Sequence, residues 1–172
     1  MRQKHRWGSF LVSAVALVAA SSPAVGAAAT HAAAPACTFS QLIANSAQRV
    51  GADKVRITLI NDGPKACVLQ GFPGMALAGQ GSPNRNKPLK VVRQGTAKPV
   101  NLAVGGKAWT LIGFTPVLGE AEGYCASGAK PSVAPSIVLG VGGGGLQLGP
   151  DDGGDFALCG DTVRATAFAG SR

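Results

Sequence analysis

The chain predicts an all-β domain: an immunoglobulin-like antiparallel β-sandwich stapled by two disulfides. Three observations lead there. Turn residues recur roughly every ten positions, at Asn61 to Pro64, Gly79 to Pro83, Gly105-Gly106, Gly119, Gly142 to Gly145 and Asp151 to Gly154. The runs between them are short and β-prone, and neither a helical period nor a fixed repeat is present. Four cysteines accompany a core poor in aromatics, the combination in which covalent staples carry stability. A jelly roll or open barrel is the second architecture compatible with the pattern.

The elements follow in chain order. Arg2, Lys4 and Arg6 precede the apolar run Phe10 to Ala20, and small residues including Ala24, Gly26 and Ala27 to Ala29 follow. Residues 1–29 therefore read as a secretory signal peptide. The apolar run is shorter than the roughly 20 residues that a spanning helix needs, although an uncleaved anchor is the alternative. Cys37 ends "APAC", but Pro35 and Ala34 stand where a lipobox wants a small and an aliphatic residue, and a lipidated Cys37 would leave three cysteines. Residues 30–36 are a flexible spacer. Residues 37–172 form a single β-sandwich domain, one core's worth of chain.

"TFSQLIANSA" suits a strand or a short helix. "DKVRITLI" alternates cleanly, with Val55, Ile57 and Leu59 on one face and Lys54, Arg56 and Thr58 on the other. "PLKVV", "KPVNLAV", "AWTLIGF", "PSIVLGV" and "TVRATAF" are further strands. Leu69 is expected to point inward. Phe72, between Gly71 and Pro73-Gly74, is expected to plug the core beneath a tight corner. Trp109 is expected in the core, its N–H bonded to a backbone carbonyl, because Leu111 and Ile112 beside it suggest a strand covered on both faces. Gly142 to Gly145 read as a hairpin loop. A phosphate loop there would need a following Lys-Ser or Lys-Thr and a helix, and "LQLGPDD" offers neither.

Cys37, Cys67, Cys125 and Cys159 allow three pairings. If the segment after Cys37 pairs with the Val55 strand as a hairpin, Cys37 and Cys67 meet at one end of the sheet. The sequential pairing is therefore expected, with Cys125 and Cys159 joined across the last strands. Each bridge would close a loop of some thirty residues, worth about 3.5 kcal/mol in the chain-entropy model. No Cys-x-x-Cys pair is present, which argues against zinc and against a redox dithiol.

Much chemistry is excluded. His5 and His31 are the only histidines, and both precede the predicted domain. Histidine triads and histidine-ligated metals are absent from it, and no cofactor is expected. Carboxylates remain at Glu120 and Glu122 and in the cluster Asp151, Asp152, Asp155 and Asp161. A carboxylate-dependent hydrolase using Asp151, Asp152 and Asp155 is one alternative, and a Ca²⁺-stabilised structural domain is the other.

Charge is asymmetric. Sixteen basic residues, three of them in the leader, against eight acidic ones leave a net charge of +5 on the exported chain. No acid lies between Asp62 and Glu120, whereas Asp151 to Asp161 holds four acids and no base. Arg85, Lys87, Lys90, Arg93 and Lys98 form the candidate binding surface, suited to an anionic envelope polymer or to another exported protein. Nucleic acid is excluded by the compartment and by the lack of aromatics among these residues, and no stable membrane span is expected once the leader is removed.

Two motifs carry a family resemblance. "NDGPKACVLQGFPG" supplies Asn61, Gly63, Cys67, Leu69, Gly71, Phe72 and Pro73, matching Asn-x-Gly followed by Cys-x-Leu-x-Gly-aromatic-Pro. "PVNLAVGGKAW" supplies Leu102, Gly105, Gly106 and Ala108, with Val104 where the pattern has proline. Together with Cys125 and Cys159 they resemble an actinobacterial family of secreted and lipoprotein-type domains catalogued as domain of unknown function 4232. The resemblance implies a β-sandwich and export, and it carries no activity. The sequence thus points to a secreted or extracellular, cell-envelope-associated, non-enzymatic binding or accessory module.

Overall fold

A computed structural model describes residues 34–79, 86–119 and 123–171. Residues 1–33, which hold the expected leader and most of the expected spacer, and Arg85, Glu120 and Glu122 lie outside them. One 3-10 turn, Phe39–Gln41, precedes the strands: β1 (Leu42–Ile43), β2 (Ala47–Arg49), β3 (Lys54–Asn61), β4 (Cys67–Leu69), β5 (Gly74–Ala78), β6 (Lys87–Gln94) and β7 (Val100–Leu102). Then come β8 (Lys107–Pro116), β9 (Ser132–Ala134), β10 (Ser136–Val141), β11 (Gly144–Leu148), β12 (Phe156–Thr166) and β13 (Ala169–Gly170). "TFSQLIANSA" thus divides into a helical turn and two short strands.

The main sheet runs β1-β3-β8-β12-β6-β5-β10-β11, and β4 and β7 form a separate pair. The all-β class with two disulfides is what the cysteines and turns imply. Two details differ from a pair of separate antiparallel sheets. First, β6 lies parallel to β12, from Lys90↔Thr162 to Gln94↔Thr166. Alternation of side chains is the same in either strand direction, so the sequence pattern is blind to this. Second, the start of β6 pairs with β5, from Lys87↔Leu77 to Leu89↔Met75. One strand therefore carries the sheet from one layer into the other, giving a more rolled structure than the immunoglobulin arrangement.

Both layers feed one core. Val55, Ile57 and Leu59 of β3 stand opposite Ile112, Thr110 and Ala108 of β8, all buried. Met75, Leu77, Ile137 and Leu139 from the other layer join the same apolar cluster. Strand β12 changes face midway. Phe156 and Leu158 are buried in its first half, and Val163 and Ala165 in its second. Two residues of even number and two of odd number can share a face only across a register break, which falls between Leu158 and Val163. Gly160, at φ 82°, supplies the left-handed backbone there.

The β10–β11 hairpin turns on two residues, Gly142 and Gly143, between the paired Val141 and Gly144. Their φ values of 58° and 83° are the positive pair that a twist-compatible two-residue hairpin requires. Gly144 and Gly145, read from the sequence as loop, belong to the strand.

Candidate functional site

The stretch 61–74 forms a braced corner. Cys37 and Cys67 are bonded with their Cα atoms 4.8 Å apart, and Cys125 and Cys159 at 5.6 Å. Cys125 sits in a loop rather than on a strand. The N–H of Cys37 donates to the carbonyl of Val68 at 2.9 Å, and that of Val68 to Pro35 at 2.7 Å, so the segment before Cys37 lies along β4.

The buried Asn61 side chain joins the two sequence motifs. Its Nδ2 faces the carbonyls of Lys65 at 2.9 Å and of Leu102 and Ala103 at 3.2 Å, while its Oδ1 accepts from the N–H of Gly63. The Asn61 N–H donates to Gly106, and the Gly105 N–H donates to Asn61. The glycines follow from this closeness. A Cβ on Gly63 would lie 2.8 Å from Gln41 Cγ, and one on Gly106 2.8 Å from the Ala103 carbonyl oxygen. The motif residues around Asn61 thus build the corner.

That corner borders a cleft of about 1030 Å³. Val68, Phe72 and Pro99 give it an accessible apolar lining bordered by the buried Leu69, Val141 and Phe168, and Gly74 and Gly140, paired across β5 and β10, leave part of it without side chains. Leu69 points inward and is buried. Phe72 is not a core plug: it is half-buried on the cleft wall, with the Arg93 guanidinium 5.5 Å from its ring centroid. Pro73 beside it is the buried residue of the pair.

Trp109 also departs from expectation. Along β8 the core takes Ala108, Thr110, Ile112 and Phe114, so Trp109 falls on the opposite face, half-buried, with Arg56 at 5.1 Å over its ring. Lys107, two positions earlier, shares that face, and this parity was the available signal.

The outer face of β3-β8-β12-β6 gathers basic residues from distant parts of the chain. Register places Lys54 opposite Gly113, Arg56 opposite Leu111, Lys107 opposite Ile60, Arg164 opposite Gly113 and Lys90 opposite Thr162, all facing away from the core. Beside them Asn45, Ser46, Gln48, Thr58 and Asp151, with Arg56 and Lys107, line a polar depression of about 260 Å³. Three acids approach this face: Asp151 in the depression, Asp53 at 3.8 Å from Lys54 and Asp161 at 3.3 Å from Lys90. Lys90 and the Thr162 hydroxyl hold the Asp161 carboxyl below its ordinary value.

The sequence-predicted surface is divided. Lys90 lies on this outer face. Arg93, three residues on and therefore of opposite parity, turns to Phe72. Lys87 donates to the Ser132 hydroxyl at 2.8 Å, and Lys98 borders a depression beside Trp109. Arg85 lies outside the described residues.

The acidic run is also divided, and a base stands within it. Arg49 of β2 donates its backbone N–H to Asp151 Oδ1 at 2.9 Å, its Nε to Asp152 Oδ2, and its Nη2 to the Asp155 carbonyl at 2.8 Å. The Gly154 N–H and Arg49 together hold Asp152 below the ordinary carboxylate value. Asp161 is separated from the others and faces Lys90. No sequence signal near position 151 announces a partner from position 49.

Fold and surface together define a disulfide-braced all-β domain that presents one basic sheet face and one apolar cleft. The chain belongs to the family described as Domain of unknown function (DUF4232), whose model matches residues 37–168. No curated protein and no solved structure matches it significantly.

Proposed function

We propose that this protein is a non-enzymatic exported binding module whose ligand is an anionic polymer of the cell envelope. The contact surface is the outer face of β3-β8-β12-β6 rather than the linear run 85–98. The observation that carries this reading is the convergence of Lys54, Arg56, Lys107, Arg164 and Lys90 on one face around Trp109. Arg56 and Lys107 have no carboxylate within ion-pair distance among the described residues, and Asp151, the acid lining their depression, accepts from the Arg49 backbone N–H. A spread of cations on a rigid sheet suits a repeating anion, and the polar depression beside Arg56 suits its hydroxyls. Two disulfides, and no helix among the described residues long and apolar enough to cross a membrane, accord with export to an oxidising compartment.

Polygalacturonate provides the test. Binding should weaken as salt rises, and Arg56→Glu with Lys107→Glu should lower affinity by about tenfold or more. Lys87→Glu with Arg93→Glu, the same charge change at residues turned off that face, should cost far less. Equal losses from both pairs would reduce the effect to net charge and end the reading.

A further inference from the structure

We propose that the cleft beside the Cys37–Cys67 bridge is a second binding site, for a single amphiphile with an extended apolar chain and an acidic head group. This does not rest on the basic sheet face, which lies on other residues.

The cleft is built for an apolar occupant. Its volume of about 1030 Å³ stands at the upper end of the roughly 300–1,000 Å³ typical of small-molecule sites. Val68, Phe72 and Pro99 contribute apolar surface, the buried Leu69, Val141 and Phe168 border it, and no Asp or Glu lines it among the described residues. The space is kept open by glycine. Gly74 and Gly140 face each other across the β5–β10 ladder, and a Cβ on Gly74 would meet only the Gly140 Cα, at 3.7 Å. Gly74 has no positive φ, so its backbone does not require glycine. A larger side chain there would occupy the cleft instead of the core.

Charge selects the head group. The exposed Arg93 guanidinium rests on Phe72 at the cleft wall, and Lys98 directly precedes Pro99, another wall residue. Neither has a carboxylate partner within 4.0 Å among the described residues. An apolar chain laid along Val68, Phe72 and the Gly74–Gly140 pair would bring an acidic head to this rim, where a charge-assisted hydrogen bond outweighs a neutral one.

The experiment uses the full chain with both bridges formed and a dansyl-labelled undecanoic acid as the fluorescent probe. Palmitate and hexadecanol are the competitors, and vesicles of anionic phospholipid form a separate arm. Saturable binding of one probe per chain is expected, displaced by palmitate and about tenfold less well by hexadecanol. Gly74→Leu should weaken binding by about tenfold or more at unchanged far-UV circular dichroism. Arg93→Glu should weaken palmitate while leaving hexadecanol unaffected. Should Gly74→Leu fail to fold, Asn101→Trp, which adds bulk at an exposed wall position on β7, replaces it with the same expected loss. Absent or unsaturable probe binding, full affinity in the filled-cleft variant, or equal competition by the alcohol would each overturn the proposal. So would capture by vesicles without binding of the monomeric acid, since that describes a membrane surface and not a cleft.

Discussion

The side chain of Asn61 donates to the carbonyl of Leu102 at 3.2 Å, across 41 positions of chain, in a place without solvent. This contact and its neighbours at Lys65 and Ala103 tie the disulfide-bearing corner to the turn that leads into β8. An amide suits the position because it has two donors for carbonyls and one acceptor for the Gly63 N–H.

Replacing Asn61 with Leu should therefore cost about 2–4 kcal/mol of stability, because buried carbonyls lose their donor and gain none. Asn61→Asp should cost more, since a carboxylate would face the same carbonyls. Urea unfolding of the two variants measures this. A loss well below about 1 kcal/mol for both would show that water satisfies these groups.

The hairpin glycines differ in what surrounds them. A Cβ on Gly142 would stand 2.5 Å from the Phe39 nitrogen, whereas one on Gly143 meets nothing within 4 Å. Gly143→Ala should cost about 1–2 kcal/mol, the left-handed backbone penalty alone. Gly142→Ala should cost clearly more, because it also displaces the Phe39 N–H from the Gly142 carbonyl. Equal thermal shifts in the two variants would contradict this packing.

The two bridges close loops of similar length, with separations of 30 and 34 residues, so their entropic contributions should be alike at about 3.5 kcal/mol. Their surroundings differ. Cys37 and Cys67 belong to the core cluster, while Cys125 is buried outside it and Cys159 is half-buried. Mild reductant should open Cys125–Cys159 first, as read by alkylation and mass spectrometry. Paired alanine substitution at 37 and 67 should destabilise more than at 125 and 159, by an added cavity term.

Asp152 and Asp161 both sit below their ordinary value of 3.8 in the folded protein. The unfolded chain then binds more protons than the native one as pH falls, so stability rises with pH across this window. The contribution of both groups is complete above the ordinary value, begins to fade as pH drops through 3.8, and is gone below their lowered folded values. Asp152→Asn and Asp161→Asn should each flatten the acid limb of a stability-pH curve and leave its neutral region without added slope. Urea midpoints measured from about pH 6 to about pH 2.5 would show it. Unchanged acid limbs in both variants would mean that these exposed pairs contribute nothing measurable.

Several elements were legible because their signal is local. The strict alternation of Val55, Ile57 and Leu59 marks β3, and "PSIVLGV" marks β10. β4 and β5 were not distinguished from the corner that joins them, because they are short and bounded by glycine. "TVRATAF" reveals only the second half of β12. Phe156 and Leu158 lie in the opposite phase, and the bulge that reconciles the phases has no independent mark in sequence. The tight corner suggests a core plug for Phe72, and the apolar Leu111 and Ile112 suggest a strand covered on both faces for Trp109. Each instead spreads one ring face under an arginine, an arrangement that satisfies an aromatic group without full burial.

The sequence alone determined the fold class, because period-two alternation, turn glycines and cysteine number act over a few residues and need no knowledge of neighbours. It also determined the missing histidine chemistry, which is a matter of counting. Only the tertiary structure decided which charges stand together. Arg49 reaches Asp152 across 103 positions, and Arg56, Lys107 and Arg164 share a face through strand order and register. In a strand, residues two apart share a side and residues three apart do not. A basic run along the chain is therefore split between faces, and a basic surface must be assembled from strands far apart in sequence.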